Sequence, residues 1–567
     1  MSITDFAELE YIPTDYSALQ EKLTALTEQV LQATSGAELI ELFEEANKLM
    51  ESPDTSYHIA LIRSYENIND TFYRDAFHAE SEGKTGLRIA PLFSAFLSSP
   101  FFVSLTGRYG KHLESRMRNR LLRAAIDPAL LNTDRRLVME FHKLRADIRI
   151  FYDNKIQTES EMYVYFPHSS RDIRISSRKA LSEAFYDERG RFSGILHELI
   201  RIRNGIAKSA GFDSYPAYRD FFYERTSYDE ADLTCLCEHI RTLITPIYKQ
   251  IQDYQKEDLG LDCVRMQDSA VYFADGSSSI HTQKAPLSDA IQQTLSRYSP
   301  VLSSFFEEMQ QHGYIDIRPS RNKISGTSIT TDVIVPDGYP FIFANLKATT
   351  KSYSVLNCGI GTAYASYLIS KKGYPKILRK SVTDAMEIPA KVLELVSADF
   401  AETLCGYDAD KYRYELFCQK IRELLTFCAY HETETFMYAN PQASFEEIAA
   451  VLHDNIRAYD PGHDDSDLSN CHIRETNLMR MVSLYAYPRY AISLVLSQIS
   501  AFELHDSIRK DTIFGWKNFD TICSFGGSNN YTDTLACVGL PTPFAPHAIE
   551  HLASFAEAEL SKLRSRL

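Results

Sequence analysis

The chain has 567 residues, 44% apolar and 24% charged, the balance of a globular protein with a sizeable core, which excludes global disorder. At roughly 150 residues per domain, the length allows three to four domain-equivalents, or one large domain with an appended lobe. Its 60 Lys and Arg against 76 Asp and Glu give a net charge of −16. That argues against a dedicated nucleic-acid or anionic-membrane binder, because such proteins need a basic face.

The start, Met1 to Glu8, is acidic and lacks the basic region and apolar stretch of a secretory signal. Leu19, Leu23, Leu26, Val30 and Leu31 then recur at mostly helical spacing, and so do Leu39, Leu42, Phe43 and Ala46. Ser35 and Glu38 make a capping-box pattern before the second run. Asp147 to Tyr152 alternates at first, which reads as a strand or as more helix. Ile195 to Ile206 and Leu233 to Ile251 read as helix, and so does Leu287 to Met309 with a break or kink at Pro300.

Lys323 to Leu346 is the firm strand region. Thr327, Ile329, Thr331, Val333 and Val335 alternate, Pro336-Asp337-Gly338 supplies a turn, and Phe341 to Ala344 resumes an apolar strand. The expectation is a small antiparallel sheet inside a mainly helical protein. Phe400 to Asp410 and Tyr459 to Asn470 read as surface connections. Ala491 to Leu504 is too short and too polar to span a membrane, and no window reaches 18 apolar residues. The ten cysteines are scattered without a Cys-x-x-Cys pair. Together these features lead us to expect a cytoplasmic protein, with no nucleic-acid partner and no membrane insertion.

Tyr339-Pro340-Phe341-Ile342-Phe343-Ala344-Asn345-Leu346 resembles the Pro-Phe-Ile-Phe-Ala-Asn-Phe segment of the oligoendopeptidase F family, bacterial relatives of thimet oligopeptidase. Three further segments resemble that family in the same order. They are Ala207 to Phe212 with Tyr215 and Tyr218, then Thr435 to Pro441, then Phe525 to Ser528 followed by Val538 to Phe544. The resemblance implies a mainly α, two-lobed helical metallopeptidase-like fold around a deep central cleft, with the small sheet beside it. It suggests an N-terminal helical lobe at 1–185 and a catalytic-like helical domain at 186–567.

The family's chemistry rests on His-Glu-x-x-His. Helix positions i and i+4 share a face, so two imidazoles reach one zinc, while the Glu takes a proton from zinc-bound water. The matching helix here reads Val355-Leu356-Asn357-Cys358-Gly359-Ile360-Gly361-Thr362-Ala363. Cys358 and Thr362 stand at the two His positions and Gly359 at the Glu position. Thr383 to Ile388 resembles the third-ligand segment and retains Glu387, 25 residues beyond Thr362. The family's oxyanion-stabilising His and Tyr groups match poorly too. In Pro488-Arg489-Tyr490-Ala491-Ile492-Ser493-Leu494, Ala491 and Leu494 replace two Tyr, and the upstream His falls near Val482 or Ser483. Catalytic zinc needs three protein ligands, so no metal and no cofactor are expected.

Other His-rich segments read as ordinary surface. His197-Glu198 ends in Arg201 and reads as a polar helix face. His547-x-x-Glu550-His551 matches an inverted zinc pattern but sits at a helix start, where Glu is favoured by the dipole. His463, Asp464, Asp465, Asp467, Cys471 and His472 read as a solvated acidic loop. Cys358 reads as a small residue filling the space an imidazole left.

The leading expectation is an inactive oligoendopeptidase F-like pseudoenzyme that binds, presents or regulates a peptide. Its contacts are expected at Gly326, Thr327, Ser328, Phe343, Ala344, Asn345 and Tyr490, by pairing with the strand edge. A homo- or hetero-oligomer with a related peptidase-like protein is a further expectation. Two alternatives stay open: an enzyme of altered chemistry acting through Cys358 or an unrecognised metal site, and a structural protein with a vestigial cleft.

Overall fold

The computed structural model describes residues 3–281, 287–324, 328–334, 338–345 and 349–567. The chain forms two compact units, each assembled from three separated segments. The first comprises Met1–Ala124, Ile280–Tyr407 and Ser500–Leu540, and the second Ala125–Ser279, Asp408–Ile499 and Pro541–Leu567. Position 185/186 falls inside the second unit, within the Arg171–Asp187 helix.

In the first unit, the helix Tyr16–Gln32 starts where Asp15 accepts the Ala18 N–H at 2.9 Å. It buries Leu19, Leu23, Leu26 and Val30. Leu31 is 66% exposed instead, because one residue past Val30 lies 100° around the helix. The next helix, Gly36–Leu49, buries Leu39, Phe43 and Ala46 on one stripe. Its capping box is shifted by one residue. Ser35 Oγ accepts the Glu38 N–H, but the Glu38 carboxylate turns to the Thr34 N–H at 2.7 Å. These faces close on Phe96, Leu105, Leu113, Met117 and, from far along the chain, Leu378. Each fully buried side chain of this kind contributes about 1.5–3 kcal/mol.

Pro300 does end one helix and begin another. Leu287–Tyr298 stops, Ser299 caps, and Pro300–Gln311 follows. From there the chain enters a three-stranded sheet of order β3-β5-β4, with β3 at Ile315–Asp316, β4 at Ser328–Thr330 and β5 at Ile342–Ala344. The β4–β5 pair is antiparallel, as the alternation suggests. However, β3 adds to β5 in parallel, so the sheet is mixed. This short strand carries only Ile315 and Asp316, too little alternation to read from sequence.

The second unit holds a separate antiparallel hairpin, β1 (Ile150–Tyr152) and β2 (Lys155–Gln157). Asp153 and Asn154 both take positive φ, 54° and 55°, the requirement of a two-residue type I′ turn. That settles the ambiguous 147–152 stretch: the helix ends at Asp147 and a strand begins. Otherwise the unit is helical. The 31-residue helix Ala409–Ala439 packs along Phe445–Tyr459, which starts at a full Ser444/Glu447 capping box. Among the described residues no single helix is long and apolar enough to cross a membrane. Ile492, Val495, Leu496 and Ile499 of the Ala491–Lys510 helix are buried core.

Candidate functional site

The helix Thr350–Lys371 carries the motif positions. Thr349 caps it by accepting the Ser352 N–H at 3.1 Å. It buries Tyr353, Leu356, Ile360, Ala363 and Tyr364 along one stripe, and Ser352, Ser354 and Asn357 beside it. It packs along Ile388–Asp399. Gly361 makes that approach possible, because a Cβ there would lie 2.8 Å from Ala390 N and press on the Pro389 carbonyl.

Cys358 and Thr362 stand four residues apart on this helix, both half-buried. Thr362 Oγ1 donates to the Cys358 carbonyl at 3.1 Å, so its hydroxyl is satisfied within its own helix. Between them, Gly359 faces the sheet. A Cβ at 359 would come to 3.2 Å from Thr330 Oγ1 and 3.8 Å from Ile342 Cγ2. Thr330 and Ile342 are cross-strand partners on β4 and β5, and Thr330 Oγ1 donates to the Gly359 carbonyl at 3.3 Å. The helix backbone thus sits directly against the sheet where the motif would carry its carboxylate.

Glu387 joins the short helix Thr383–Met386 to Ile388–Asp399 and is half-buried. Its carbonyl accepts the Lys391 N–H at 3.0 Å. Among the described residues, neither Glu387 nor Cys358 belongs to a group of three His, Cys, Asp or Glu donors clustered closely enough to hold an ion. Glycine cannot act as a base, and a threonine hydroxyl bonded within its helix is a poor zinc ligand. This residue set does not fit the family's catalytic zinc.

Of the expected peptide contacts, Gly326 and Thr327 lie outside the described residues. Ser328 opens β4 opposite Ala344. Thr331 N–H donates to the Phe341 carbonyl at 3.0 Å, whereas Ile342 N–H turns to Tyr314 on the other side. Pairing alternates along an antiparallel ladder, so Ser328 and Thr330 point their main-chain groups to the outer edge. No further strand covers that edge among the described residues. The side chains of Phe343 and Ala344 are buried; Phe343 packs on Tyr65 at 5.9 Å. Asn345 secures the preceding loop. Its Oδ1 accepts the Ser320 N–H, and its Nδ2 donates to the Ser320, Lys323 and Ile324 carbonyls.

Tyr490 belongs to the second unit. It is half-buried, with its ring 6.1 Å from Tyr223. Its neighbour Arg489 is a feature that motif reading misses. Arg489 is fully buried at φ 64°. It donates to Asp220 at 3.1 Å, to Thr435 Oγ1 at 3.1 Å and to Glu230. Its backbone N–H donates to Glu434 Oε2 at 2.7 Å. Burial lifts the Glu434 carboxyl to about 7, against the opposing pull of Arg489. Burial, with Arg489 next to it, pushes His431 well below its usual range. A basic residue among Tyr positions, before a helix start, is the one sequence signal of this network.

The other His segments separate clearly. His197 has its two nitrogens on the Ser193 and Ala443 carbonyls, and Glu198 pairs with Arg201, as expected of a polar helix face. His547, 85% exposed, faces Glu550 at 3.4 Å at its helix start. The 463–467 loop is not simply solvated. Arg265 reaches Asp464 and Asp467 at 3.2 Å each, and the His463 side chain is only 6% exposed. All ten cysteines are outside disulfides.

Residues 6–122 match the family model described as the Peptidase M3 N-terminal domain. The whole chain shares its fold with solved peptidase structures. PZ peptidase A with an inhibitor is 24% identical at a TM-score of 0.88, covering 99% of both chains. A putative oligoendopeptidase F gives the same three values. A putative oligoendopeptidase F from Bacillus anthracis str. Ames is 21% identical at a TM-score of 0.84, again over 99% of both chains. No curated protein matches the chain in sequence.

Proposed function

We propose that this chain, built on the oligoendopeptidase F-like fold, binds extended peptides without hydrolysing them. The observation that carries the reading is the outward edge of β4 beside the helix bearing Cys358, Gly359 and Thr362. A strand edge binds main chain through hydrogen bonds that need no metal. The neighbouring helix meanwhile offers a thiol, a bare backbone and a hydroxyl in place of two imidazoles and a base. Binding and hydrolysis therefore separate on this scaffold.

The test is a mixture of peptides about 6–20 residues long, a range that one extended groove accommodates at ~3.3–3.6 Å per residue. Incubated with the protein and zinc, the peptides are expected to stay intact by mass spectrometry, with a subset co-eluting. Retained peptides N-methylated at alternate residues should bind at least about tenfold more weakly in one register only, since each lost hydrogen bond costs about 0.5–1.5 kcal/mol. Chelator-sensitive cleavage would refute the inactive reading. Equal binding of both N-methylated registers would refute strand pairing. Cleavage or modification that disappears in Cys358→Ala would instead establish chemistry at the thiol.

A further inference from the structure

The second unit contains a group of donors that belongs to neither the motif helix nor the sheet. His453 lies on the helix Phe445–Tyr459, with its side chain 3% exposed. Its Nδ1 is buried without a hydrogen-bond partner. The helix ends at Tyr459, and the chain reverses through Asp460-Pro461-Gly462-His463, closed by the His463 N–H on the Asp460 carbonyl at 2.9 Å. Gly462 lets the turn pack against the Gln252 carboxamide, whose Oε1 would lie 2.5 Å from a Cβ at 462 and would have to shift. The reversal brings His463 back onto the helix, its ring 5.5 Å from that of His453. His463 Nε2 is likewise buried without a hydrogen-bond partner. Two residues on, Asp465 places Oδ2 3.8 Å from His453 Nδ1.

One donor atom from each of these three residues lies within 4.8 Å of the others. Tetrahedral zinc with bonds of ~2.0–2.2 Å needs donors about 3.4 Å apart, so a modest inward rotation of the side chains closes the site. We propose that His453, His463 and Asp465 bind one divalent transition-metal ion of zinc's class, with solvent as the fourth ligand. Two imidazoles and one carboxylate favour such an ion over magnesium or calcium, which prefer all-oxygen sites.

The surroundings suit that ion. Asp460 Oδ2 stands 3.8 Å from His463 Nδ1, the other nitrogen from the unpartnered Nε2. Gln252 Nε2 holds the other oxygen of Asp460 at 2.7 Å. A carboxylate behind a ligating imidazole is the usual second partner of a metal-bound His. The other acidic residues of the loop, Asp464 and Asp467, are taken by Arg265, which leaves Asp465 to the His pair. A cleft of about 290 Å³ lined by Gln252, Gly462 and His463 reaches the His463 side of the group.

The experiment uses the full chain, stripped with a chelator and desalted, then titrated with zinc against a chromophoric competitor. One equivalent is expected to bind, and magnesium is expected not to displace it. His463→Ala should weaken binding at least about 100-fold, and Asp460→Asn by about 10–100-fold, the cost of losing an outer carboxylate. Asp465→Asn, nearly isosteric, should also weaken it while leaving the metal-free circular dichroism unchanged. His547→Ala with His551→Ala, and Cys358→Ala, should bind as the parent does. Saturating zinc should raise the melting temperature of the parent and not of His463→Ala. Failure of the folded parent to bind one equivalent overturns the proposal. So does undiminished binding in both His463→Ala and Asp465→Asn, and so does loss of binding in the Cys358 or His547/His551 variants.

Discussion

Glu434 shows how much chemistry a single buried position can hold. One of its oxygens accepts the Arg489 N–H, and the other is buried with no hydrogen-bond partner. Burial raises its pKa from an ordinary 4.5 to about 7. The folded state therefore holds a proton that the unfolded state has released between those values. Stability from this group is present below about pH 4.5 and is lost as pH rises towards 7, by at most about 1.4 kcal/mol per pH unit. Glu434→Gln should flatten that part of the stability profile in urea unfolding between pH 4.5 and 7.5. An unchanged slope would show that Glu434 does not titrate there. The motif positions were legible because they could be set against a pattern residue by residue. Glu434, Arg489, His453 and His463 were not, because their chemistry depends on burial and on partners far away in the chain.

The Thr350–Lys371 and Ile388–Asp399 helices are held at a separation that only glycine allows at 361. Gly361→Ala should cost about 1–3 kcal/mol through forced separation of the two helices, read as a lower melting temperature. An unchanged melting temperature would mean that the pair is loosely packed. At this scale the sequence was largely readable. Helical stripes such as Leu39, Phe43 and Ala46 announce themselves by period, and the break at Pro300 by chemistry. The parallel strand β3 left no such trace. Its two residues owe their conformation to β5, which meets them only after the chain has folded. The β1–β2 hairpin did have a local signal in Asp153-Asn154, but the preceding helix pattern ran close enough to mask it.

The two units interleave along the chain, so neither can be released by one cut. Residues 1–185 and 186–567, expressed separately, should each fail to show a cooperative thermal transition. A fragment 1–185 that melts cooperatively would show that its helices need no later segment. Interleaving also sets the order in which the protein can finish folding during synthesis. The N-terminal helices bury Leu19, Leu39 and Phe43 against a cluster that includes Leu378. That residue leaves the ribosome long after the first 124. At about 5–20 residues per second, the wait from residue 124 to residue 378 is roughly 10–50 s. For that interval a nascent chain carries an apolar face whose last covering piece has not yet been made, the kind of transient exposure that favours aggregation and calls on chaperones.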